Sequence, residues 1–76
     1  MVVAFLLINT LMGAESSVLD ALTKIQGVDE AHVLRGVYDI IARIKTDSVD
    51  KLRSITRKIG GNGEITAKLA VLIREE

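Results

Sequence analysis

Two periods of apolar residues alternate along the chain. Val2 to Ile8 is an unbroken apolar run of Val, Ala, Phe, Leu and Ile, which predicts a buried strand over 2–10. From Glu15 the spacing changes to Val18, Leu19, Leu22 and Ile25, one face of a helix over 14–25. Glu15 in its first turn and Lys24 in its last suit the helix dipole, and Gly27 is placed to take a left-handed conformation after it. Residues 28–34 and 37–45 read as two strands joined by a short turn at Arg35-Gly36. In the second of them Tyr38, Ile40, Ala42 and Ile44 alternate with Val37, Asp39, Ile41, Arg43 and Lys45. Asp47 or Ser48 then caps a helix with the stripe Leu52, Ile55 and Ile59, which Gly60-Gly61-Asn62-Gly63 stops. A last strand runs from Ile65 to Arg74, with Ile65, Ala67, Leu69, Val71 and Ile73 expected on one face.

The order is βαββαβ, which places residues 1–76 in one α+β domain. Right-handed crossovers put both helices on one face of a four-stranded antiparallel sheet, the ferredoxin-like arrangement. In a monomer the other face should be polar. Here the first strand is apolar on both sides, and Val37, Ile41, Ala70 and Leu72 are expected on the open face, with Asp39, Arg43, Thr66 and Lys68 at its margin. A contiguous apolar patch of that kind marks an interface, so the sheet is expected to pair with a second copy as a dimeric α+β barrel.

Composition narrows the chemistry. A chain of 76 residues buries only about 60% of its unfolded surface, yet 49% of this one is hydrophobic. Ten Lys/Arg balance ten Asp/Glu, so no net field draws nucleic acid or an anionic membrane. The apolar run at the N-terminus is far short of the roughly 20 residues of a spanning helix and has no basic residue before it, which argues for a cytoplasmic protein. With no cysteine there is no disulfide, thiolate or zinc knuckle. His32 is the single histidine, expected at a sheet edge as a hydrogen-bonded surface residue rather than a metal ligand or base. No metal or other cofactor is expected, and no enzymatic activity. The rivals are a small cofactor-free oxygenase or isomerase of the same fold and a purely structural assembly subunit. RNA-recognition domains share the fold order but carry stacking rings in the third strand. Arg35-Gly36-Val37-Tyr38-Asp39 lacks both rings and holds an acid where one would stand.

Three stretches carry a family resemblance. Met1-Val2-Val3-Ala4-Phe5-Leu6-Leu7-Ile8-Asn9-Thr10 followed by Gly13-Ala14-Glu15 resembles the opening of the ligand-binding domain of the Lrp/AsnC regulators. Ile25 to His32 is similar to that family's glycine-valine segment entering its second strand. Gly36-Val37-Tyr38-Asp39-Ile40-Ile41-Ala42 is similar to its Gly-x-Tyr-Asp hairpin-to-strand motif. The likeness covers almost the whole chain.

The resemblance implies a module that dimerises, stacks into octameric or similar rings and binds an amino acid between dimers. Because the chain starts at the first strand, it also implies a stand-alone member without its own helix-turn-helix. Such a member would regulate transcription without touching nucleic acid, mixing with full-length regulators. Gly36 and Asp39 match hairpin positions near which effectors bind, and Thr66 falls where the family often has a threonine entering the last strand. Lys68 stands where a second threonine is common, and Gly60 to Gly63 departs from the usual end of the second helix. An ACT-type sensor, with its glycine-rich turn after the first strand, fits less well, since only Gly13 lies there. A zwitterion needs an anion for its ammonium and N–H groups for its carboxylate. Asp39 and the Arg35-Gly36 turn offer both, the alternative for Asp39 being a surface ion pair with Arg43.

Overall fold

The computed structural model describes residues 1–75, with side-chain surroundings for residues 1–73. Its elements are β1 (Val2–Thr10), α1 (Glu15–Thr23), β2 (Val28–Val33), β3 (Ile40–Thr46), α2 (Val49–Gly60) and β4 (Ile65–Glu75). They form one antiparallel sheet in the order β2-β3-β1-β4, the ferredoxin-like fold. Alternate residues of β1 (Val2, Ala4, Leu6, Ile8) and of β3 (Ile40, Ala42, Ile44) point at the helices and are buried. Val18 and Leu22 of α1, with Leu52 and Ile59 of α2, close this core from above. Burying such side chains contributes roughly 1.5–3 kcal/mol each.

The helix ends show their causes. Ser48, not Asp47, caps α2: its hydroxyl accepts from the Lys51 N–H at 3.2 Å. Asp47 instead binds the Lys51 ammonium at 2.9 Å, one turn on. That hydrogen bond and the charge beside it hold the Asp47 carboxyl below its ordinary value. α1 ends earlier than its apolar stripe suggests, and Ile25 packs on the core from the turn that follows. Gly27 takes φ +103°, and a Cβ there would stand 2.5 Å from the Ile55 Cδ1. The glycine therefore lets the α1–β2 turn lie directly on α2.

Three expectations are corrected. First, the β2–β3 connection is longer than an Arg35-Gly36 turn. The strands stop at Val33 and start at Ile40, and the Leu34 N–H donates to the Asp39 carbonyl at 2.7 Å, closing a loop over 35–38. Val37 is thus a loop residue, 85% exposed, and not a member of the sheet's open face.

Second, β4 changes face. Thr10 pairs with Ile65 but Asn9 pairs with Ala67, so Thr66 is an extra residue in a β-bulge. One inserted residue reverses the side chains after it, here from Ala67 to Leu72, where the register shifts again at Ile73. Ile65 still packs on the core, but Leu69 and Val71 stand opposite Leu7 and Phe5 on the open face. Ala70 and Leu72 stand opposite Leu6 and Ala4, on the helix side, contrary to their expected place in an open-face interface. Lys68 follows them to the helix side, where its side chain lies against Gly60.

Third, Arg43 does not pair with Asp39. It bridges to Asp29 at 3.3 Å and Glu30 at 3.8 Å across the β2–β3 ladder. Ile41 does lie on the open face, opposite Leu7 on one side and His32 on the other.

Candidate functional site

β1 and β2 run upward and β3 and β4 downward, so three connections meet at the upper end of the sheet. These are the β1–α1 turn (11–14), the β2–β3 loop (34–39) and the α2–β4 turn (61–64). Gly36, Asp39 and Thr66, separated by up to thirty positions in sequence, all lie at this end.

Asp39 is the fixed point. Its N–H donates to the Ile8 carbonyl at 2.9 Å, prolonging the β3–β1 ladder by one step. Its carboxylate Oδ2 accepts from the Thr10 N–H at 2.9 Å in a half-buried position. A backbone donor to a carboxylate is a charge-assisted bond, and it anchors the loop to the end of β1. Among the described residues the other oxygen, Oδ1, has no hydrogen-bond partner. Nor do the N–H groups of Arg35, Gly36, Val37 and Tyr38 have backbone partners. Gly36 stands at φ +151° with open space around its Cα, the loop's most approachable point.

Thr66 is the bulge residue of β4, exposed, on the far side of β1 from Asp39. Two strand spacings of 4.7–4.9 Å put it about 10 Å from Asp39. The three expected site residues therefore share an open rim rather than a pocket. Two surface depressions lie elsewhere: one of about 390 Å³ at the lower end, between Gly27, Thr46 and Lys51, and one of about 270 Å³ between Leu22, Ile59 and Ile65.

Reading along the sequence missed the Asp39–Thr10 tie and the neighbours it brings in, because those residues are 29 positions apart. No periodicity links a loop acid to the end of a distant strand. Leu11 and Met12 stand exposed at this end, with the Leu11 N–H donating to the Glu64 carbonyl at 2.8 Å. His32 sits on β2 beside Glu30, its Nε2 3.3 Å from a carboxylate oxygen. Among the described residues no three His, Cys, Asp or Glu side chains are grouped to hold a metal ion. No described helix is long and apolar enough to cross a membrane.

The family model described as the Lrp/AsnC ligand binding domain matches residues 3–69. No curated protein matches the chain. Among solved structures, the hypothetical protein PHS023 from Pyrococcus horikoshii is 36% identical with a TM-score of 0.93, the match covering 100% of this chain and 93% of that one. AsnC of E. coli is 25% identical with a TM-score of 0.88, and the match covers 99% of this chain but 52% of that one. At 12% identity and a TM-score of 0.84, a transcriptional regulator from Neisseria meningitidis, solved as an L-Met complex, shares the fold over 99% of this chain and 51% of its own.

Proposed function

The chain belongs to the Lrp/AsnC ligand-binding domain family, and from that premise we propose that it binds a free α-amino acid at the upper rim of its sheet. The observation that carries this reading is the Asp39 carboxylate. It is held in place by Thr10, with one oxygen free, beside the N–H groups of residues 35–38, which have no backbone partner. The free oxygen receives the ligand's ammonium, and the N–H groups around Gly36 receive its carboxylate. Thr66 supplies a hydroxyl across β1. The rim is open in one chain, so a second dimer closes it, and the ligand shifts assembly by binding one state better. The Neisseria protein of the same fold, solved as an L-Met complex, favours an amino acid as effector.

Dimerisation is assigned to the open face, through Phe5, Leu7, Ile41, Leu69 and Val71, with further stacking into an octamer or similar ring. The function is regulatory rather than catalytic, without direct nucleic-acid contact by this domain, in the cytoplasm, with full-length regulators as mixing partners.

Calorimetric titration with each of the twenty amino acids near millimolar concentration tests the site. Asp39→Asn is the informative variant, because its amide oxygen still accepts from Thr10 while the charge is gone. Saturable binding that the variant loses supports the proposal. Equal binding by both proteins removes Asp39 from the site, and silence across the panel overturns the effector reading.

A further inference from the structure

We propose that the furrow between the two helices binds a short aliphatic carboxylate that carries no ammonium group, at a site separate from the rim. α1 packs chiefly on β2, while α2 packs on β3 and β1, so the helices stand apart and leave a depression of about 270 Å³ between them. Buried Leu22 and Ile59 form its floor, and the half-buried Ala21, Ile25 and Ile65 line it as well. That volume falls just below the roughly 300 Å³ at which pockets for drug-sized ligands begin, so it suits a chain of a few carbons. The furrow lies on the helix side of the sheet, away from the face assigned to dimerisation, and pairing through that face leaves it open.

Two polar side chains line the same depression, and both offer donors. Lys58, in the last turn of α2, has no carboxylate partner among the described residues. A lysine on an apolar surface lays its methylene stem along that surface and keeps its ammonium in water, which places a cation at the mouth. Asn62 accepts from the Glu64 N–H at 2.9 Å through Oδ1, which leaves its Nδ2 hydrogens without a partner among the described residues. No described Asp or Glu lines the furrow. The acids next to its walls in sequence are engaged elsewhere, Asp20 with Lys24 at 3.4 Å and Glu64 with the Ser17 hydroxyl at 2.7 Å. An apolar floor, one unpaired cation and a side-chain amide donor together fit a carboxylate on an aliphatic chain. An ammonium on the same chain would leave water for a place with no anion and with the Lys58 charge beside it. Carboxylates without nitrogen are therefore favoured there over amino acids.

Heteronuclear NMR titration of the whole chain with isocaproate, isoamylamine and leucine tests this site. The three share one branched chain; the first ends in a carboxylate, the second in an ammonium, and the third carries both. The expected result is saturable shifts at Ala21, Ile25, Lys58 and Asn62 with isocaproate, and none there with isoamylamine or leucine. Lys58→Met keeps the stem and removes the charge, and should weaken isocaproate about tenfold. Ala21→Leu fills the furrow from α1 and should abolish its binding, while Asp39→Asn, at the rim, should leave it unchanged. Equal shifts with isoamylamine or leucine, or an unaltered affinity in Lys58→Met, overturn the assignment of a carboxylate without an ammonium. Isocaproate shifts confined to the 34–39 loop, or none at all, overturn the site itself.

Discussion

β1 and β4 are neighbours in one sheet and read almost alike, yet they have opposite environments. Leu6 and Ile8 of β1 are fully buried, whereas Leu69, Leu72 and Ile73 of β4 are about half exposed. The difference is position. β1 is central, flanked by β3 and β4 and roofed by both helices, while β4 is an edge strand that the helices leave uncovered beyond Ile65. An apolar sequence therefore shows that a strand will be buried, not whether its own chain or another will bury it. An edge strand with five apolar residues in succession, Leu69 to Ile73, is a pairing hazard unless a partner covers it.

The largest test of this contrast is Leu6→Ala. It should cost about 2–5 kcal/mol in urea unfolding, much of the stability of a domain this size. Leu72→Ala, on the same sheet face but uncovered, should cost under about 1 kcal/mol in the same measurement. Next come two charges placed side by side in β4. Val71→Asp should dissociate the proposed dimer by light scattering, as should Ile41→Asp, while Ala70→Asp, turned to the helix side, should leave it intact. The reverse result would mean that Thr66 is not a bulge and β4 sits one residue out of register.

Smaller effects concern the start of α2, where Ser48 caps the helix. Ser48→Ala removes the α2 cap and should cost about 1 kcal/mol in thermal unfolding. The Asp47–Lys51 pair is exposed and smaller still. Because the folded carboxyl titrates below its ordinary value of 3.8, its contribution is present above that pH and fades as pH falls through the lower, folded value. Lys51→Met should return the Asp47 titration, followed by NMR, toward that ordinary value.

Much of this was legible in the residues themselves. Six elements appear in the expected order, because helix and strand periods are local and Gly27 and the Gly60-Gly61-Asn62-Gly63 stretch punctuate them. The Gly36-Val37-Tyr38-Asp39 motif also located one end of the candidate site. Its surroundings were not legible. Thr10 meets Asp39 only when β1 lies against β3, a pairing between residues some thirty positions apart.

The sequence by itself determined which segments are strands and helices, which face of β1, β3, α1 and α2 is buried, and the family. The elements and their buried faces are set by spacing within a few residues, the family by a likeness that runs along almost the whole chain. Only the tertiary structure decided which way β4 faces. Alternation from Ile65 onward looked continuous, but the ladder with β1 accommodates Thr66 as an extra residue and turns Ala70 and Leu72 toward the helices. A bulge exists only in relation to a partner strand, so no pattern within β4 could announce it.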